Sequence, residues 1–581
     1  MDTGKSGFLT RVTGMVMTAL VFLLPLKFGG LAVMPESGGF YPDDLFSWIF
    51  VTFPAHSPGV CGALVLALAL CAVRRPNRAV SRTLLLWCVV PTLAALPGLC
   101  RGYADESLGE ISNLLGIGAF GAAAGLLVAA DRAWGRRFAV ALFAGGMATA
   151  VCGIHQYFFG LDELREFAAE RIRNGAEIPV ALQNKLQDPR IFATMASSNA
   201  LTSLMLMLLP LAALFAWEWG AKFAPARVSR PLFAAVFLIP IAANMVFASS
   251  RASVLCLVIA AVVAAFSAPR LPGKYRLIAA VAAAAVLACG LFFAARFGRG
   301  FGSMAERADY LRTSAILAAE HPLTGAGWGN FFRTHMRIKL TDTDEAARDP
   351  HNVVAAFASQ AGVLSGIVML ALLLLPLVLL WKHRFSPGLP MAVFWCGVFF
   401  TVHSLLDCDW HVPALPTAMT ILYCAALAEV SPTEELSPRA RTVLDLALAA
   451  LGVAAFVTNV HSLRGDREMS RIADILNPPK PESAPGFFEA KECFERAKKL
   501  RPHSAAIRHL EGDWYARRGQ FDLARERYLE AARLDPLRPG AWAALARIAD
   551  LQGDRKTAAE LMDKAHALFP KNKKYTLKNE P

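Results

Sequence analysis

The sequence predicts an all-α protein: a polytopic membrane helix bundle of about 13 transmembrane helices followed by a short α-solenoid. Three observations predict it. The 581 residues are 55% hydrophobic and only 18% charged, against roughly 25% charged in average soluble composition, so the surplus apolar surface needs lipid. The apolar residues come in runs long enough to cross a hydrocarbon core of about 30 Å, which takes roughly 20 helical residues. Beyond Pro478 the chain turns polar and repeats itself with a period of 34 residues. This composition excludes a disordered or nucleic-acid-coating chain despite the formal charge of +13.

The expected spans lie at 8–28, 59–73, 84–99, 108–130, 138–159, 191–217, 231–248, 252–268, 277–295, 353–380, 389–406, 412–428 and 443–460. The second is short and recruits residues 45–53. The first lacks the small-residue cleavage site of a signal peptide and is followed by further spans, so it reads as a retained helix. Basic residues check the count, because short cytoplasmic loops hold more Lys and Arg than short exported ones. With the N-terminus inside, the inside segments carry 19 of them, and the short outside loops carry three: Lys27, Arg101 and Arg251. An odd number of crossings puts the tail outside with two long loops, 160–190 and 296–350.

Eleven cysteines suggest a disulfide framework until they are located. Most sit in apolar spans with no CxxC or Cys/His ligand spacing, so they read as small buried hydrophobes, and neither a metal site nor a disulfide scaffold is expected. The membrane domain is expected over 1–462, a linker or helix over 463–486, repeats over 487–570 and a basic tail over 571–581. The repeat aligns Ala490, Ala524 and Ala558; Ala497, Ala531 and Ala565; Leu500, Leu534 and Leu568; Pro502, Pro536 and Pro570; and Gly519 with Gly553. Small residues let paired helices approach, glycine ends a helix and proline marks the turn between units, which resembles the tetratricopeptide repeat. Such a surface docks a protein or a glycan. About two and a half units are visible, fewer than the three or so expected of a free-standing solenoid, so the tail is expected to lean on another surface.

The chemistry is expected outside the membrane. Arg307 and Arg312 ride one helix five residues apart, about 140° around a regular helix, so they share a site only through a bend or a ligand lying across the end. Gly325, Gly327 and Gly329 offer backbone N–H groups to an oxygen-rich ligand. Asp349, Pro350, His351 and Asn352 directly precede a span, and Ser249, Ser250 and Arg251 break an apolar run. An arginine at a span end either snorkels to the interface or faces a cavity or partner. Arg190 and Asn199 enter the sixth span in the same way.

RIFATMASSNA at Arg190, the SSRAS break, the R-x4-R helix leading into HPLTGAGWGNF, and the HN pair opening a helix with Gly362 and Gly366 together resemble the O-antigen ligase and polymerase family of multispanning bacterial glycosyltransferases. The resemblance covers about 190–366, and the later HSLLDCDWHVP with His403, Asp407 and His411 resembles family versions that end in tetratricopeptide repeats. The family often has glycine where this chain has Ala252, and an aromatic where it has Leu311 beside Tyr310.

The resemblance implies transfer of a glycan from an undecaprenyl pyrophosphate carrier to an acceptor hydroxyl on a glycan, lipid or protein, at the outer face of the bacterial plasma membrane. It implies no nucleotide sugar, metal or other cofactor. Membrane lipids, and a protein bound by the repeats, are the further partners expected, with no nucleic acid. Arg251, Arg307 and Arg312, with Arg190 as a fourth, match basic positions that would hold pyrophosphate, for which the guanidinium fork is suited. His351 matches a loop histidine that takes the acceptor proton or orients a substrate. Asn199, Gly325, Gly327, Asn352, His403 and Asp407 are expected in support. A transporter or an envelope-assembly scaffold are the readings from other classes; a transporter predicts internal repeat symmetry of the spans, and no convincing duplication is visible.

Overall fold

The computed structural model describes residues 3–31, 52–73, 78–173, 187–223, 225–269, 272–274, 276–278, 281–282, 301–343, 346–431, 437–477 and 486–575, and every regular element among them is helical. In the membrane domain these are α1 (Thr3–Lys27), α2 (Ser57–Ala72), α3 (Arg78–Ala95), α4 (Ala104–Ala130), α5 (Ala133–His155), α6 (Leu161–Arg173), α7 (Ser198–Gly220), α8 (Ala226–Ala248) and α9 (Arg251–Ser267). There follow α10 (Phe301–Glu320), α11 (Asn330–Ile338), α12 (Val353–Ala361), α13 (Val363–Leu380), α14 (Leu389–Ser404), α15 (Ala414–Val430) and α16 (Pro438–Leu476).

Seven of the described helices are long and apolar enough to cross a membrane and five more are apolar but shorter, against about 13 expected spans. The expected span 277–295 and the recruited stretch 45–53 lie almost wholly outside the described residues. Three expected boundaries move. The span predicted over 353–380 is two helices, because Gly362 at φ +104° takes the chain out of α12 before α13 begins. The loop expected from residue 160 opens as helix: a π turn, Gln156–Gly160, carries α5 into α6. The stretch expected as a linker or helix from 463 is helix as far as Leu476 and is continuous with the span before it, in α16, which runs unbroken for 39 residues. At 1.5 Å per residue that is about 58 Å, nearly twice the hydrocarbon thickness, so α16 leaves the apolar layer as a stalk for the tail.

The bundle packs around α4, whose inner half is almost entirely buried. Glycines make this possible: a methyl group on Gly118 would sit 2.2 Å from the Cys88 carbonyl oxygen of α3, and one on Gly116 would sit 2.7 Å from the Cα of Gly59 in α2. Buried amides then fix the register. Asn459 of α16 donates to the Ser112 carbonyl, and Asn113 donates to the carbonyl of Trp410, in the loop before α15.

The tail is five helices, α17 (Phe487–Leu500), α18 (Ala505–Ala516), α19 (Phe521–Leu534), α20 (Pro539–Leu551) and α21 (Arg555–Leu568). All six alanines of the repeat pattern are buried between these helices, which is why the period selects a small residue there. At its base, Arg501 pairs with Asp466 of α16 at 2.6 Å and His461 meets the Leu500 carbonyl at 2.9 Å. A second attachment lies further along. Arg333 of α11 is 4% exposed, pairs with Asp535 of the tail at 2.6 Å and with Glu106 of α4 at 3.0 Å, and lies over the Tyr103 ring at 3.5 Å. Breaking one arm of such a buried pair is costly because a desolvated charge is left behind. Asp535→Ala is expected to lower stability by about 3 kcal/mol, read as a lower midpoint of thermal unfolding in detergent; an unchanged midpoint contradicts this role.

Candidate functional site

The buried carboxylate of Asp407, in the loop between α14 and α15, gathers donors from four segments. The Asn199 side-chain amide donates to it, Arg307 reaches Oδ2 at 3.4 Å, His351 Nδ1 lies 3.1 Å from Oδ1, and the Cys408 backbone N–H donates to Oδ1 at 2.8 Å. Each donor is positioned by a local feature of the sequence. Ser197 caps α7 by accepting from the Ala200 N–H, which sets Asn199 in the first turn. Arg307 stands in the first half of α10. Asn352 caps α12 and donates to the Leu405 carbonyl, tying the segment of His351 to the loop of Asp407.

Backbone strain marks the same places. The only described non-glycine residues with positive φ are Ala193 (+48°), Ser249 (+46°) and His351 (+54°). They sit between Arg190 and Asn199, two residues before Arg251, and at the histidine itself. Such conformations cost on the order of 1–3 kcal/mol each and persist where surrounding contacts enforce them. At His351 the enforcing contacts are the Asp349 carboxylate, which accepts its backbone N–H at 2.7 Å, and Tyr310, whose ring stacks on the imidazole at 5.6 Å between centroids.

Burial alone would raise the Asp407 pKa, but the hydrogen bond and charge of His351 overcome it and hold this carboxyl well below the usual carboxylate range. Burial alone would lower His351, and the bond to Asp407, with the charges of Asp407 and Asp349, outweighs it, so the imidazole pKa is raised. An ionised Asp407 accepts, so the neutral imidazole carries its proton on Nδ1 and leaves Nε2 as the free basic nitrogen.

Beside His351 and Asp407, both of which line it, a cavity of about 370 Å³ opens, walled further by Glu110, Trp328, Phe332, Arg348, Asp349 and His411. His411 bridges Glu110 at 3.1 Å and Asp349 at 3.6 Å. Burial opposes its charge, but the two carboxylates prevail and its pKa is pushed up to about 9. The cavity wall is therefore a compensated set of charges around an aromatic patch.

Not every expected residue converges here. Arg190 pairs with Asp188 at 2.6 Å and feels the charge of Asp407. Arg251 opens α9, exposed and with no ion pair among the described residues. Arg312 turns away: it bonds Asp309 at 3.3 Å and the Ile338 carbonyl at 3.0 Å, because α10 stays regular and the five-residue spacing separates it from Arg307. His403 pairs with Asp409, not Asp407, at 2.9 Å, and Ser203 completes that buried group. Gly325 and Gly327 do not present free N–H groups. Those donate to the carbonyls of His321 and Gln360, and the positive φ of both glycines lets the loop press on α12 and on Arg101. Glu110 and Arg333 belong to no motif singled out in the sequence, and Asp349, Tyr310 and His411 stand in such motifs without an expected role. The signal for Glu110 was an acidic residue inside an apolar span.

His351, Asp407 and Cys408 offer ligand atoms within 4.8 Å of one another. Both Asp407 oxygens are already engaged by nitrogen donors, so the group is built as a hydrogen-bonded carboxylate supporting an imidazole.

If His351 acts as a base, activity requires its neutral form and is lost as pH falls through its pKa. Since that pKa is raised above the ordinary 6.5, the acid limb of a kcat/KM profile is expected above pH 6.5; a limb at or below that value contradicts a His351 base poised by Asp407.

The sequence model of the O-antigen ligase family matches residues 233–370, which include Arg251, Arg307, Arg312, His351 and Asn352 and exclude Arg190, Asn199, His403 and Asp407. No curated protein and no solved structure matches the chain. Many apolar helices together with this match support a multi-pass membrane protein of the O-antigen ligase type, a family of membrane glycosyltransferases.

Proposed function

We propose that the protein transfers a glycan from an undecaprenyl pyrophosphate carrier to an acceptor hydroxyl at the outer face of the plasma membrane. The observation that carries this reading is the juxtaposition of His351, Asp407 and Arg307: a tautomer-fixed imidazole beside a guanidinium, next to a cavity wide enough for a sugar. Asp407 holds the Nδ1 proton, so Nε2 removes the acceptor proton as the oxygen attacks the anomeric carbon. The bond from that carbon to the pyrophosphate oxygen breaks, and direct displacement inverts the configuration. Arg307 and Arg251, with Arg190 behind them, meet the negative charge growing on the leaving pyrophosphate. Arg312 steadies α10 against the loop after α11 instead of touching the carrier.

The N-terminus lies in the cytoplasm and the tail outside, with the basic loops retained inside. The tail acts as a tetratricopeptide-like docking surface that recruits a protein. Ligation to a lipid-anchored core, extension of a polysaccharide and transfer to a protein side chain share this chemistry and differ only in what enters the cavity.

With donor and acceptor supplied to protein in membranes, His351→Ala and Arg251→Ala are each expected to lower transfer by about 100-fold or more while membrane insertion stays intact. Undiminished transfer by either variant removes that residue from the mechanism.

A further inference from the structure

At the end of the bundle away from Asp407 lies a second cavity, of about 930 Å³, that glycan transfer does not use. It is walled by α1 (Gly7, Thr10, Arg11, Met15, Thr18), the last residues of α2 and α4 (Ala72, Val73, Ala130, Asp131), and the first turn of α5 (Trp134, Arg137). The helix α4 relates the two cavities. Glu106 and Glu110 at its first turns face the candidate site, and Asp131 follows its last residue. Its 27 residues span about 40 Å, so the cavities open a bilayer apart.

The walls have a two-part chemistry. Gly7, Met15, Ala72, Val73 and Ala130 make an apolar flank, while Arg11 and Arg137 stand exposed at the rim. Among the described residues neither arginine pairs with a carboxylate. Arg137 is oriented by Trp134, over whose ring its guanidinium lies at 4.4 Å, and Trp134 is wedged against Gly14, where a larger residue would collide with the indole. One acid is present among the described lining residues. One Asp131 carboxylate oxygen accepts the Ala133 N–H at 2.9 Å, and the residue lines the cavity. Two arginines against one carboxylate leave a net positive site at the membrane interface, where tryptophan and arginine anchor to headgroups.

We propose that this cavity is a binding site for an anionic phospholipid, with its phosphodiester held by Arg11 and Arg137 and its acyl chain along the apolar flank. The guanidinium fork suits a phosphate, and two of them against the single Asp131 carboxylate among the described lining residues leave one net positive charge, complementary to one phosphodiester. The volume exceeds what a phosphate alone fills, leaving room for the glycerol backbone and the upper part of a chain. Arg11 and Arg137 outweigh Asp131, which favours an anionic over a zwitterionic headgroup, and the Asp131 carboxylate can accept from the hydroxyls of a glycerol headgroup, so phosphatidylglycerol is the occupant. A bound lipid here fastens α1 to the end of α4, whose first turns line the candidate site, and to the start of α5.

The test uses the full-length protein in nanodiscs of phosphatidylcholine containing equal phosphatidylglycerol and phosphatidylethanolamine, released and weighed by native mass spectrometry. The wild type is expected to retain phosphatidylglycerol, and the Arg11→Gln/Arg137→Gln double variant to retain at least about fivefold less, a loss of about 1 kcal/mol in binding. Both side chains are exposed, so the variant is expected to fold; a thermal midpoint in phosphatidylcholine alone that matches the wild type verifies this. Arg439→Gln, at another exposed basic position, is expected to change nothing. Equal retention by the double variant, an equal loss in Arg439→Gln, or preferred retention of phosphatidylethanolamine overturns the proposal.

Discussion

The end of the bundle that holds the candidate site is organised by one desolvated negative charge. Asp407 is buried, and an ionised carboxylate out of water is tolerable only when hydrogen-bond donors replace its hydration. Asn199, Arg307, His351 and the Cys408 N–H supply them from α7, α10, the turn before α12 and the loop itself. Four segments distant in sequence are thereby held to a common point. The left-handed backbone at His351, unfavourable by itself, is a consequence of meeting that point while Asn352 caps α12 and Asp349 takes the His351 N–H. The requirement that stabilises the charge also fixes the imidazole tautomer, so folding orients the His351 ring in the same event.

A similar constraint joins the tail to the site. Arg333 stands between Asp535 and Glu106, and its guanidinium also donates to the Gly329 carbonyl at 2.6 Å. Glu106 and Gly329 both line the cavity beside His351. The five tail helices therefore brace the cavity wall as well as standing on the stalk of α16. This explains how fewer repeat units than a free solenoid needs can be stable: their exposed ends are covered by α16 and α11 instead of by further repeats.

Much of this was legible in the sequence. Apolar runs carry the all-helical, multi-span character because bilayer thickness and backbone hydrogen bonding leave the chain few alternatives. The buried faces of the tail follow from its alanine period. His351, Arg307, Asn199 and Asp407 were all singled out, and they meet. What the sequence left hidden depends on long-range geometry. Arg312 and His403 are the right residue types beside the right neighbours, yet one turn of α10 and the partner Asp409 take them elsewhere. Gly325 and Gly327 shape a packed loop, since a glycine pattern does not reveal whether its N–H groups are already spent on the fold. Arg333 belonged to no motif, and only the docking of the tail gives it partners. The break at Gly362 was likewise masked by uniform hydropathy, and although helix was among the readings from 463 onward, nothing in the composition showed that it continues the span before it without a break.

The most direct measurement is the rate of glycan transfer by Asp407→Asn in membranes, with insertion and abundance matched to the wild type. The asparagine keeps the shape and can still accept a hydrogen bond, but removes the charge that raises the His351 pKa and secures its tautomer. A fall of about 100-fold or more, with the acid limb of the pH profile displaced to lower pH, is the predicted result. Transfer within about threefold of wild type and an unmoved limb would contradict a His351 base poised by Asp407.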